Sequence, residues 1–210
     1  MVITKAEPAN EVNRIIVDSD IKVKMSACNT NEVTACIYGS IMEEREIKFS
    51  VTRFGDEIRV FVRAVRITDT TTFGSDKERG LTLNVQIPTI VFEKIYVESK
   101  NSNIDVKSSV HANIITADNK NGNIYISAVF RLLNIDCQNG NVEVDTEACN
   151  DIIVNITNKN GNVDVIIENI GVYEVSVDSK NGTCRNNPRL KGKYTASGYI
   201  MTKNGHMKVH

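Results

Sequence analysis

The stretch Asn119-Lys120-Asn121-Gly122-Asn123-Ile124-Tyr125-Ile126 decides the reading of this chain, because it recurs. Copies of its turn stand at Lys100-Asn101-Ser102-Asn103, Gln138-Asn139-Gly140-Asn141, Lys159-Asn160-Gly161-Asn162, Lys180-Asn181-Gly182-Thr183 and Lys203-Asn204-Gly205-His206. The third residue of successive copies advances by 20, 18, 21, 21 and 23 positions. A period near 21 residues is the mark of stacked supersecondary units rather than of one closed globule.

The flanks of the turn repeat as well. Behind it run Ile104-Asp105-Val106, Ile124-Tyr125-Ile126, Val142-Glu143-Val144 and Val163-Asp164-Val165, alternating between β-branched and polar residues. Period-2 alternation puts Ile and Val on one face of a strand. Ahead of the turn stand two further apolar columns. One holds Val97, Ala117, Ile135, Ile156, Val177 and Ile200; the other holds Ile95, Ile115, Leu133, Val154 and Val175. These columns are expected to stack on themselves and form the core. One unit buries about five aliphatic side chains at roughly 2 kcal/mol each. Ordering it costs on the order of 30 kcal/mol, so a unit needs neighbours on both faces.

The expected fold is all-β: a single-stranded, right-handed β-helix-like solenoid of about 21-residue coils over residues 91–210, capped by an N-terminal β region over 1–90. The two form one continuous structural unit. Asn and Gly tolerate positive φ, and Asn-Gly also suits a tight hairpin, so an antiparallel meander or sandwich is the alternative. Within the cap, Val12 to Met25 reads as a degenerate copy of the repeat without its Gly. Residues 46–64 alternate across Phe54-Gly55-Asp56 as a hairpin, and 68–80 read as an exposed loop. A second loop is expected at 186–192. The last turn, Lys203 to Val209, is expected to leave a free strand edge and to support end-to-end self-association through the C-terminal coil.

Composition narrows the function. Of 210 residues, 41% are hydrophobic and 24% charged, with a net charge of −1, so no global field draws the chain to nucleic acid. No apolar run is long enough to span a membrane as a helix. Met1 to Pro8 lacks the basic and apolar regions of a signal peptide. A complete chain is therefore expected in the cytoplasm, and at the cell surface only if a leader has been removed. The five cysteines (28, 36, 137, 149, 184) are odd in number and show no CxxC spacing. They suggest neither a disulfide framework nor a zinc site.

The early strand pair Ile15 to Val23, the entry strand Leu81 to Pro88, the serial Lys-Asn-Gly-Asn-Ile/Val turns and the ending Gly198 to Gly205 together resemble the bacterial putative adhesin family. These are adhesin-like β-helix proteins of unknown function related to the head-GIN domain. The resemblance covers nearly the whole chain and implies a right-handed β-helix-like fold. It supplies no functional residues.

The candidate sites come from the columns. Lys100, Lys120, Lys159, Lys180 and Lys203 form a possible interaction stripe, interrupted by Gln138. Spaced about 4.8 Å apart, such charges repel by roughly 0.9 kcal/mol in water. The stripe suits an unknown protein or an anionic cell-envelope polymer. Acids two residues earlier (Glu98, Asp118, Asp136, Asp178) are expected to balance much of it. Asn101, Asn121, Asn139, Asn160, Asn181 and Asn204, with Gly122, Gly140, Gly161, Gly182 and Gly205, form the expected structural ladder of the turns. The acids form regular ladders rather than a facing pair. The three histidines have no metal-ligand spacing, so no catalytic, cofactor or metal site is expected. The leading expectation is a non-catalytic scaffold or binding protein, adhesin-like or an accessory of envelope-stress signalling. The alternatives are a self-assembling β-helix of the bactofilin type and a carbohydrate-active enzyme.

Overall fold

The computed structural model describes residues 2–40, 45–66 and 80–210, and these are all β. The expected exposed loop at 68–80 lies outside the described residues except for Gly80. The N-terminal region supplies β1 (Val2–Pro8), β2 (Arg14–Ser19), β3 (Lys22–Cys28), β4 (Glu32–Tyr38), β5 (Arg45–Phe54), β6 (Glu57–Arg66) and β7 (Thr82–Pro88). Each later repeat then gives a long strand, a corner at the Lys-Asn-Gly motif and a second strand. The pairs are β8 and β9 (Val91–Ser99, Ile104–Val106), β10 and β11 (His111–Asn121, Ile124–Ile126), and β12 and β13 (Leu132–Asn139, Val142–Glu147). They continue with β14 and β15 (Ile152–Asn160, Val163–Glu168), β16 and β17 (Ile170–Asn181, Cys184–Asn186), and β18 and β19 (Tyr194–Asn204, Met207–Val209).

The strands form two mixed sheets. Sheet I runs β1-β4-β7-β3-β9-β11-β13-β15-β19-β17, and sheet II runs β16-β18-β14-β12-β10-β8-β2-β6-β5. Pairing between repeat units is parallel and in register: Ile95 lies beside Ile115, Ile115 beside Leu133, and Leu133 beside Val154. Antiparallel pairing is confined to β1 with β4, β4 with β7 and β5 with β6. Inward residues of both sheets join one core, and the column Ile104, Ile124, Val142, Val163 and Met207 is fully buried.

Chain order and spatial order part at both ends of the stack. Strand β2 sits between β6 and β8, and β3 between β7 and β9. At the other end β18 and β19 insert between the β14/β15 unit and the β16/β17 unit. The inward residues explain this order. Met207 and Val209 are buried, whereas Cys184 and Asn186, at the same register positions of β17, are exposed. In sheet I the strand with the more apolar inner edge is enclosed, and the poorer one is left outermost. Gly198 marks the insertion: it lies beside Val154, and a Cβ there would overlap the Val154 carbonyl. The expectation that Lys203–Val209 leaves the free edge is thus corrected. That edge belongs to β16 and β17.

Candidate binding face

The corner of each unit is the most repetitive part of the molecule. Its asparagines pass one side-chain hydrogen bond from level to level. Nδ2 of Asn121 donates to Oδ1 of Asn101 at 2.9 Å, Asn139 to Asn121 at 2.9 Å, and Asn160 to Asn139 at 2.7 Å. Asn204 then donates to Asn160 at 2.6 Å, and Asn181 to Asn204 at 2.8 Å. The ladder follows spatial order, so Asn204 stands between Asn160 and Asn181. None of these asparagines has a positive φ; among the corner residues that conformation belongs to Gly122, Gly140, Gly161 and Gly205. The asparagines are used for their amides rather than for left-handed backbone. Each glycine leaves room for the carbonyl of the next corner, since an added Cβ at Gly140, Gly161, Gly205 or Gly182 would overlap its neighbour's oxygen. Ser102, the first member of the column, tolerates a side chain.

Two further polar columns complete the corner. The residue after the glycine accepts a backbone N–H from the next level: Asn103 from Asn123, Asn123 from Asn141, Asn141 from Asn162, and Asn162 from His206, each at 2.9 Å. His206 Nδ1 in turn accepts from Thr183 N at 3.3 Å. The residue before the lysine points inward. Asn119 Nδ2 donates to Ser102 O at 2.8 Å, Asn158 Nδ2 to Gly140 O at 3.0 Å, and Thr202 and Ser179 hydroxyls bond the Gly161 and Gly205 carbonyls. These side chains, buried except for half-buried Ser179, satisfy carbonyls that the bend leaves outside the sheet ladder. Cys137 occupies the same slot, with Sγ 3.7 Å from Gly122 O, and burial, ahead of nearby Asp136, pushes its thiol up to about 11. Sequence reading passed over this column. Its signal was the alternation that turns Ile95 and Val97 inward and so turns Ser99 inward too.

With Asn and Gly committed to the corner, lysine is the part left facing solvent. Lys100, Lys120, Lys159, Lys180 and Lys203 are all exposed, as is Gln138. None makes an ion pair among the described residues. Register sets their spatial order as Lys100, Lys120, Gln138, Lys159, Lys203, Lys180. The stripe is therefore two groups, a pair and a contiguous trio.

The two groups have different surroundings. Beside the pair, Glu98, Asp118 and Asp136 form an acid row in register, and a shallow depression of about 510 Å³ lies between acids and lysines. Tyr96 OH donates to Asp118 Oδ2 at 2.7 Å and to Glu98 Oε2 at 3.2 Å. Its own titration is pushed far up by burial and then by Asp118. Arg63 bonds Asp18 at the head of the row. Beside the trio the corresponding residues are Thr157, Met201 and Asp178. Met201 is 45% exposed, and Tyr199 on the same strand face and Ile153 on β14 are 44% and 45% exposed. Asn134 and Asn155, in line with Tyr199, are linked amide to amide at 3.0 Å. This end of sheet II thus carries cations, an aromatic ring and amides, with Asp178 beside the lysines and Glu174 further along β16.

The acids of sheet I are interleaved with other residues except where β13 meets β15, which sets Glu143 beside Asp164 and Glu147 beside Glu168. Asp105, Tyr125, Glu143, Asp164 and Lys208 follow in register; Lys107 pairs with Asp105 at 2.9 Å and His210 Nε2 with Asp164 at 3.0 Å. Among the described residues no group of three or more His, Cys, Asp or Glu is placed to hold a metal. Among the described residues no helix is long and apolar enough to cross a membrane.

No family model matches the sequence, and neither does any curated protein. Solved structures do match. A putative cell adhesion protein from Clostridium sporogenes superposes with a TM-score of 0.60 at 16% identity, covering 100% of this chain and 98% of that one. Putative adhesins from Bacteroides fragilis and Parabacteroides distasonis align at TM-scores of 0.39 and 0.39 with 10% and 12% identity, over 100% and 99% of this chain and 97% of each of theirs. The clostridial likeness is one of fold along the whole chain. These neighbours carry the adhesin designation to which the sequence resemblance pointed.

Proposed function

We propose that the chain is a non-catalytic β-solenoid scaffold, adhesin-like in role, that holds an anionic cell-envelope polymer on the sheet II face of β14, β18 and β16. The observation that carries this reading is the trio Lys159, Lys203 and Lys180. These lysines are adjacent in register and free of ion pairs among the described residues, and they lie beside exposed Met201 and Tyr199, with Asp178 next to them and Glu174 further along the same face. Parallel stacking repeats the cation about every 4.8 Å, which suits a linear ligand with a charge on each residue. Tyr199 offers a flat apolar surface next to that row. An accessory part in envelope-stress signalling would use the same face.

The test is calorimetric titration of a poly(glycerol phosphate) wall polymer at several salt concentrations. Reversing Lys159, Lys203 and Lys180 to Glu should weaken binding by at least about 100-fold and flatten its salt dependence. Reversing Lys100 and Lys120, beside the acid row, should change it by less than about threefold. Equal losses from both sets, or no binding by the native chain, would remove the reading.

A further inference from the structure

The stack has one closed end and one open end. At the closed end β1 and β5 approach each other, Lys5 Nζ donates to the Phe49 carbonyl at 2.7 Å, and the ammonium lies 5.4 Å from the Phe49 ring centre. At the open end β16 and β17 are the outermost strands, with no described strand on their far side. Strand β16 is 12 residues long and contains no proline to block further pairing. The core beneath it is incompletely covered. Tyr173 and Val177 point inward yet are only half-buried, and Cys184 and Asn186 are exposed where interior levels bury Ile and Val. The Tyr173 hydroxyl is shielded from solvent without a hydrogen-bond partner.

We propose that this open end is a dimer interface: β16 pairs antiparallel with β16 of a second copy about a twofold axis at Val177. An axis perpendicular to sheet II keeps inward residues inward across the junction, so it must pass through a residue rather than between two. The charges on the outer face of β16 then select which one. Centred on Val177, Glu174 faces Lys180 of the other copy twice, and Ser176 faces Asp178. Centred on Ser176, Glu174 faces Asp178 twice; centred on Asp178, that carboxylate faces itself. Centred on Val175, Lys180 has no acid opposite. Centred on Ser179, Asp178 faces Lys180 twice, but only residues 177–181 overlap. Of the registers that pair nine or more residues of β16, the Val177 register alone forms two opposite-charge pairs and no like-charge pair. It also sets the Val177 side chains of the two copies against each other over the exposed core.

An interface in which β16 pairs with itself is isologous, and at the other end Lys5 already occupies a β5 carbonyl, so the product is a pair rather than a filament. With Lys180 paired across the seam, Lys159 and Lys203 of both copies would then lie on one continuous face, which lets a long polymer bind two sites at once. The interface itself does not depend on the polymer reading and is tested without ligand.

Sedimentation equilibrium of the full chain should show a monomer–dimer equilibrium. Glu174→Lys or Lys180→Glu should each weaken it by about tenfold or more, because each reversal turns both symmetry-related pairs into repulsions. The double exchange, Glu174→Lys with Lys180→Glu, should restore it to within about threefold. Three results would each overturn the proposal: a native chain that is monomeric at its highest soluble concentration, a double exchange that does not recover pairing, or species that keep growing with concentration.

Discussion

The two ends of the stack solve the same problem in opposite ways. At the end formed by β1, β4 and β5, antiparallel strands fold the sheets toward each other, and a lysine occupies an edge carbonyl. At the end formed by β16 and β17, the strands keep the parallel direction of the repeat and stop. A sheet edge is a row of unmet donors and acceptors, and natural chains cover or charge it. The contrast shows that termination is not a property of the repeat. It needs strands whose direction or side chains break the pattern, and only one end has them.

Removing residues 187–210 should have the largest effect. In chain order this looks like trimming the last unit, but in space it withdraws β18 and β19 from between two levels. The β16 and β17 strands would lose the only described strands they pair with, and residues 170–186 should lose all amide protection in hydrogen exchange. Removing residues 1–9 takes β1 from an outer edge and should leave protection of β8 to β15 unchanged. Persistent protection of 170–186 in the first truncation would refute the interleaved order.

Two glycines sharpen the contrast at smaller cost. Gly205 has φ of +156° and its missing Cβ would overlap the Gly161 carbonyl, so Gly205→Ala should cost about 3–5 kcal/mol in urea unfolding. Gly55, in the β5–β6 hairpin of the closed end, has φ of +61° and nothing within 4 Å of an added Cβ. Its replacement by Ala should cost only about 1–2 kcal/mol, the left-handed backbone penalty. Equal costs would mean that stacking contacts do not govern the corners.

The smallest expected effect is chemical. Cys184 at the open end is exposed, whereas Cys137 in the middle is buried with its thiol pushed up to about 11. At mildly alkaline pH a thiol reagent should modify Cys184 in the native protein and reach Cys137 only on unfolding. Dimerisation should slow the first reaction and leave the second unchanged.

Much of this was legible in the sequence. The apolar columns Ile95–Ile115–Leu133–Val154 and Val97–Ala117–Ile135–Ile156 could be read by alignment, because in-register parallel pairing places like residues side by side. The inward Ser99, Asn119, Asn158 and Thr202 were legible in principle, since strand alternation fixes their direction, but polar residues there read as turn rather than core. The division of the lysines into a pair and a trio was legible from Gln138; the order within the trio, with Lys203 between Lys159 and Lys180, was not. Asp178 precedes Lys180 by two positions just as Asp118 precedes Lys120, yet the folded chain puts Thr157 and Met201 in the acid row next to it.

The Lys-Asn-Gly period by itself determined that the chain is built of β units with like residues in columns, because strand alternation and glycine's missing side chain are local properties. Tertiary structure decided which unit lies next to which. In sheet I that choice sets Met207 and Val209 against Cys184 and Asn186 for the place with neighbours on both sides. No single repeat contains that comparison, and from it follow the order within the lysine trio and the open end.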